Sequence, residues 1–136
     1  ETSAQADVGY AFAPCPHDKP CPRFSTDTTP CNFLVNYTGM KLLTTKEQQT
    51  EAYSYVVLRK GERPDGKAWP RIVRATLVRS GHTICRICRD NGKLEEIIFT
   101  KSKHGTTAYR CATNSAWGDL LPMKITDPVP DEDNDL

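Results

Sequence analysis

No apolar run in the chain approaches the roughly 20 residues that a membrane-crossing helix needs, so no spanning helix is expected. Histidine is scarce. His17, His82 and His104 stand in unrelated segments, and none joins a serine and an aspartate in a hydrolytic arrangement. Neither a basic, apolar signal sequence nor an Arg-rich transit sequence opens the chain at Glu1, and no location follows from that. There is no internal repeat. Net charge is also nearly absent, at +1, but the small value is a cancellation. Residues 59–110 hold 13 Lys and Arg against five acids, residues 1–58 four bases against six acids, and residues 111–136 one base against six. A basic middle between acidic ends is the pattern of a polyanion-binding module, and also of a well-solvated β-surface.

Proline and cysteine are abundant, and they fall together. Pro14, Pro16, Pro20 and Pro22 crowd into nine residues, which forbids a paired strand or helix there and leaves an irregular loop that something must fix. Before it, Tyr10–Ala13 reads as the end of a buried strand; after it, Asn32–Tyr37 begins a short element, and residues 38–52 are polar without a firm period. Tyr53–Arg59 is β-branched and aromatic and reads as one strand. Ile72–Val78, His82–Arg89, Leu94–Thr100 and Thr107–Thr113 read as further strands. Asp90-Asn91-Gly92 is a strong hairpin turn and Lys103-His104-Gly105 a weaker one. Such short strands predict a small antiparallel barrel or curled sheet. Asp127–Leu136 is acidic, contains proline and is expected to be flexible.

Six cysteines in a small chain allow a disulfide framework. Three of them, Cys15, Cys21 and Cys31, lie on or just beyond the proline-rich loop, where a backbone free of secondary structure can bring thiolates together around a soft metal. Tetrahedral zinc and all-cysteine iron–sulfur clusters take four ligands, so Cys85, Cys88, Cys111 and His17 are candidates for the fourth. Strand alternation puts Cys85 with Ile87 on one face and Cys88 with Arg86 on the other, and Cys88 lies nearer the hairpin rim. Cys85-x-x-Cys88 is also half a zinc ribbon, but the second close pair that a ribbon needs is missing. His17 between Pro16 and Asp18 is expected to hydrogen-bond a ligand rather than to be one.

Ala13–Pro22 (APCPHDKPCP) resembles the cysteine motif of the mitochondrial methyltransferase-like protein 17 family. Four further segments resemble the same family in the same order: Tyr53–Arg59 (YSYVVLR), Trp69–Ile72 (WPRI), Arg79–His82 (RSGH) with Cys88 beyond it, and Tyr109–Ala112 (YRCA) leading into Ser115–Pro122 (SAWGDLLP). The resemblance covers about residues 10–122. It implies an α+β fragment. Residues 1–65 would be the cysteine loop and terminal strand of a Rossmann-like methyltransferase domain, residues 66–124 a small antiparallel OB-like β-barrel, and residues 125–136 an acidic tail. It implies a [4Fe–4S] cluster on Cys15, Cys21, Cys31 and Cys88, with Cys85 and Cys111 outside the ligand set.

The implied role is a mitochondrial matrix assembly factor for the ribosomal small subunit, with small-subunit rRNA and ribosomal proteins as partners and neither DNA nor membrane. On that reading Arg71, Arg74, Arg79, Arg86, Lys101, Lys103 and Arg110 would meet phosphates. Trp69, Tyr109 and Trp117 would stack on unpaired bases or pack inward, Trp117 more in keeping with the core. The glycine-rich strand–helix unit for S-adenosylmethionine is not among these residues, so that cofactor, if bound, belongs to sequence upstream, and enzymatic activity stays open. The alternatives are the substrate-recruiting end of an S-adenosylmethionine-dependent RNA methyltransferase, or a zinc-binding structural module.

Overall fold

The computed structural model describes residues 8–27, 31–39, 48–64 and 68–125. The acidic tail lies outside them. Every described strand pairing is antiparallel. β1 (Gly9–Ala13) pairs with β4 (Val57–Lys60), and β2 (Phe33–Thr38) with β3 (Gln48–Tyr53), giving two separate two-stranded ladders. Between β1 and β2 the loop runs into a short helix, α1 (Pro22–Asp27), which Pro22 can open because the first helical position needs no N–H.

The second half is one sheet around β7 (His82–Cys88). The short β5 (Arg71–Ile72) and β6 (Leu77–Arg79) pair with its two ends along one edge, while β8 (Leu94–Phe99) runs along the other. The Asp90–Gly92 turn closes the hairpin as its residues predict: Arg89 N–H donates to Lys93 O at 3.0 Å, and Gly92 holds φ at +77°. Alternation along β7 then sorts its side chains. Thr83, Cys85 and Ile87 are fully buried, and with Ile72, Phe99, Ala112 and Leu121 they form the core of this half.

Several expectations need correction. Thr107–Thr113 is not a strand but the helix α3 (Thr106–Thr113), preceded by the one-turn α2 (Lys101–His104) where a second hairpin turn was expected. Thr100 caps α2 by accepting the Lys103 N–H, and Gly105 at φ +84° lets the chain turn from one helix into the next. Tyr109 and Ala112, three residues apart, face the core together. The β-branched threonines that suggested a strand sit at the helix ends. The Cys85 thiol lies 3.9 Å from Ala112 O, and the Thr83 and Thr113 hydroxyls meet at 2.9 Å, so α3 closes the sheet's inner face. Tyr53–Arg59 is split, Tyr53 ending β3 and Val57 beginning β4, and the expected strand at Ile72–Val78 is interrupted in the same way. The polar stretch 38–52 supplies β3. The described strands form open sheets rather than an OB-like barrel, and the parallel order of a Rossmann-like unit is not among them.

Candidate metal centre

Four thiols reach one cavity from four places in the chain. Cys15 stands in the loop after β1, Cys21 immediately before α1, Cys31 two residues before β2, and Cys88 at the end of β7. Pro14, Pro16, Pro22, Phe33, Val73 and Leu94 supply an apolar wall, and His17, Arg23 and Arg71 complete the lining. As the side chains stand they enclose about 20 Å³. Among the described residues, no three His, Cys, Asp or Glu side chains converge closely enough to hold one metal ion, so the thiols share a wall without meeting at a point. All six cysteines are free. Cys85 is buried on the other face of β7 against α3, and Cys111 lies on α3 itself; neither lines this cavity.

Burial governs the thiols of this cavity. Burial raises the Cys15 thiol, with Cys21 next in effect; burial also raises Cys31, followed by Cys21 and Cys15. Cys88 is pushed up to about 12, by burial first and then by Cys15, Cys31 and Cys21. Thiolates crowded into an apolar wall repel one another and lack water, so these thiols hold their protons on their own. A metal centre reverses this, because coordination deprotonates a thiol outright. All four donors are soft sulfurs, and the donor set suits zinc or an iron–sulfur cluster in kind.

Polar struts hold the loop in position. Arg71 donates from Nε to Pro14 O and from Nη1 to Gly118 O, both at 2.9 Å, tying the cysteine loop to the second half of the chain. Ser54 Oγ donates to Cys31 O at 2.8 Å. His17, buried at 4% exposure, lies with Nε2 3.3 Å from Cys88 Sγ, and burial pushes its imidazolium below the usual range, which favours the neutral ring. Nothing in the sequence marked Ser54, whose motif reads only as strand.

The cations expected to meet phosphate are not equivalent. Arg71 is occupied by two carbonyls. Arg74 lies over the Trp117 ring at 5.2 Å and donates to Val73 O, and Arg86 donates to Ala75 O. Arg79, Lys101 and Lys103 gather at the end of the sheet away from Cys88, where β6 turns into β7 and β8 gives way to α2. They are exposed, as is Arg110 on α3. Lys101 Nζ lies 5.5 Å from the centre of the Tyr109 ring, which packs against the core. Trp69 is exposed, whereas Trp117 is half-buried under Arg74.

The class that fold and site define is a small antiparallel β-protein whose proline-stiffened loop brings three thiols to a cavity shared with a fourth on a strand. A family model described as mitochondrial small ribosomal subunit Rsm22 matches residues 2–122, and the chain belongs to that family. It is similar to the human protein named ribosome assembly protein METTL17, mitochondrial, at 36% identity over 122 residues, which is 90% of this chain and 26% of that protein. It is also similar to the Schizosaccharomyces pombe Rsm22-cox11 tandem proteins 1 and 2, mitochondrial, at 31% identity over 90% of this chain and 21% of each of them. The chain thus spans about a quarter of the human relative's length and about a fifth of the yeast ones.

Proposed function

We propose that this chain is the rRNA-binding end of a mitochondrial small-subunit assembly factor, and that a [4Fe–4S] cluster on Cys15, Cys21, Cys31 and Cys88 clasps its proline-rich loop to its second sheet. The observation that carries the reading is the shared cavity, in which the four thiols meet one apolar wall while Cys85 and Cys111 lie elsewhere. Four thiolates on a tetrahedral zinc lie close together around a single ion, whereas a four-iron cluster takes one thiolate at each of four corners. Thiols that line a wall without converging suit the second arrangement. The family relationship supports the ribosomal role and the mitochondrial location, with the matrix as the compartment. The exposed cations Arg79, Lys101, Lys103 and Arg110 supply the phosphate contacts, and β1–β4 form the edge of a larger methyltransferase-like domain, a reading their uncovered apolar faces support.

The second reading is a single structural zinc, favoured by the small free volume between the thiols as they stand. Anaerobic purification followed by iron, acid-labile sulfide and zinc assays separates the two. Four irons and four sulfides per chain, with visible absorption, is the expected result for a Cys₄ [4Fe–4S] site. Stoichiometric zinc without sulfide overturns the cluster and keeps the clasp.

A further inference from the structure

His17 is held at both ring nitrogens. Nδ1 accepts the Lys19 backbone N–H at 3.1 Å, and Nε2 lies 3.3 Å from Cys88 Sγ. A neutral imidazole carries one proton, and a ring whose Nδ1 accepts must carry it on Nε2. The N–H is therefore directed at the sulfur. The neighbouring Asp18 does not compete for it, since its carboxylate accepts from Arg63 Nε and from the Ala11 N–H, each at 2.8 Å. The turn after Cys88 sets the separation. Lys19 Nζ reaches Asn91 O at 3.4 Å, and Gly92 presses so close that a Cβ there would stand 3.2 Å from Lys19 Cβ and 3.6 Å from His17 Nδ1. Two consecutive features, a backbone-fixed tautomer and a glycine-tight turn, aim one donor at one thiol.

We propose that His17 is a positioning residue for the cluster, donating its Nε2–H to the Cys88 sulfur and so stabilising the cluster's reduced form. The inference rests on the cluster reading above. An electron added to an iron–sulfur cluster increases the negative charge on its sulfurs, and a hydrogen-bond donor there offsets that charge and raises the reduction potential. Removing the donor while keeping the sulfur ligand lowers the potential without changing the iron count.

The test compares the wild-type chain with His17→Gln, whose side-chain amide keeps a donor, and His17→Leu, which has none. Iron and sulfide are measured first, then the midpoint potential by anaerobic titration with dithionite, and the terminal iron–thiolate stretches by resonance Raman. Wild-type iron and sulfide content, a potential in His17→Leu lowered by about 59 mV or more, and recovery toward wild type in His17→Gln are expected; that shift is a tenfold change in the one-electron equilibrium. One iron–thiolate stretch moving in His17→Leu is expected with it. Equal potentials in all three proteins overturn the role of His17 and leave the cluster reading standing. Loss of the cluster from both variants alike assigns His17 to packing and overturns its role as donor. A wild-type chain without sulfide overturns the cluster and this inference together.

Discussion

The segment Tyr53–Arg59 of the first half and the strand β7 (His82–Cys88) of the second are both rich in β-forming residues, yet they end in opposite environments. In β7, buried and part-exposed positions alternate from His82 to Ile87, so a single cover suffices, and α3 with Ile72 and Leu121 provides it: Cys85 and Ile87 are fully buried. In the first half, Val56, Val57 and Leu58 follow one another, a run apolar on both faces that calls for cover on both. Among the described residues it has neither: Leu58 is 71% exposed and Val56 64%, with Phe12 across the ladder at 55%. The two halves therefore owe their stability to different things. The second carries its own core. Two-stranded ladders are marginal alone, and the first depends on the loop that ties it to the second.

The sharpest way to break this contrast is to cut the tie. On the proposed metal clasp, Cys15→Ser, Cys21→Ser, Cys31→Ser and Cys88→Ser should each lose bound metal and cost several kcal/mol, because ligation would close a long loop and ligation energy would become folding energy. Cys85→Ala and Cys111→Ala should retain full metal at a cost of about 1 kcal/mol. Metal and sulfide content, with thermal unfolding, checks all six; a metal-depleted Cys85→Ala or a metal-replete Cys31→Ser would show that the ligand set is wrong. The next largest effect contrasts cores directly. Ile87→Ala should cost about 2–5 kcal/mol, whereas Leu58→Ala, on open surface, should stay within about 0.5 kcal/mol. Chemical denaturation of this same chain reads both. Equal losses would mean that β4 is covered in solution and that the two halves are alike.

These contrasts also show what the sequence could reveal. Strand parity placed Cys85 and Cys88 on opposite faces, and Asn91-Gly92 announced its turn, since both depend on one residue's geometry relative to its neighbours. The helix α3 was missed because Thr106, Thr107 and Thr113 lower helix propensity locally, while the contact that decides it, Ala112 against Cys85, joins residues 27 apart. The break inside Tyr53–Arg59 was illegible for a similar reason: two different partners, β2 and β1, claim the two ends of one apolar run. The cavity itself was legible only in part. Loop spacing pointed to three thiols, but that Arg71 braces the loop rather than meeting solvent follows from the position of Pro14 O, which no spacing encodes.

That placement of Arg71 makes a third contrast testable on RNA. Replacing Arg79, Lys103 and Arg110 together by Ala should weaken RNA binding and flatten its salt dependence by roughly 0.7–0.9 of log–log slope for each phosphate no longer neutralised. Arg71→Ala should leave the slope unchanged while lowering stability, because its guanidinium serves two carbonyls. Binding titrations from low to moderate salt decide between them. A slope that changes for Arg71→Ala and not for the triple variant would put the RNA at the Cys88 end of the sheet.

The smallest expected effect concerns the loop's other attachment, the one toward the first half. Arg63 Nε meets Asp18 Oδ2 at 2.8 Å, and Asp18 Oδ1 accepts the Ala11 N–H. The Arg63 hydrogen bond, followed by the one from Ala11, holds the Asp18 carboxyl below its usual range. A carboxyl depressed in the folded state adds stability above its unfolded value and loses it as pH falls through the folded one. The carboxylate is 48% exposed, so water screens the pair, and its worth is that of a surface bridge, under about 1 kcal/mol. Asp18→Asn should therefore lower stability slightly at neutral pH, and the difference from wild type should shrink toward zero as acid protonates Asp18 in the wild type. Unfolding curves for both proteins across that range measure it. If Asp18→Asn instead cost as much as Cys88→Ser, the loop would be anchored to the first half as firmly as to the second, and the proposed metal would supplement a preformed loop rather than clasp it into order.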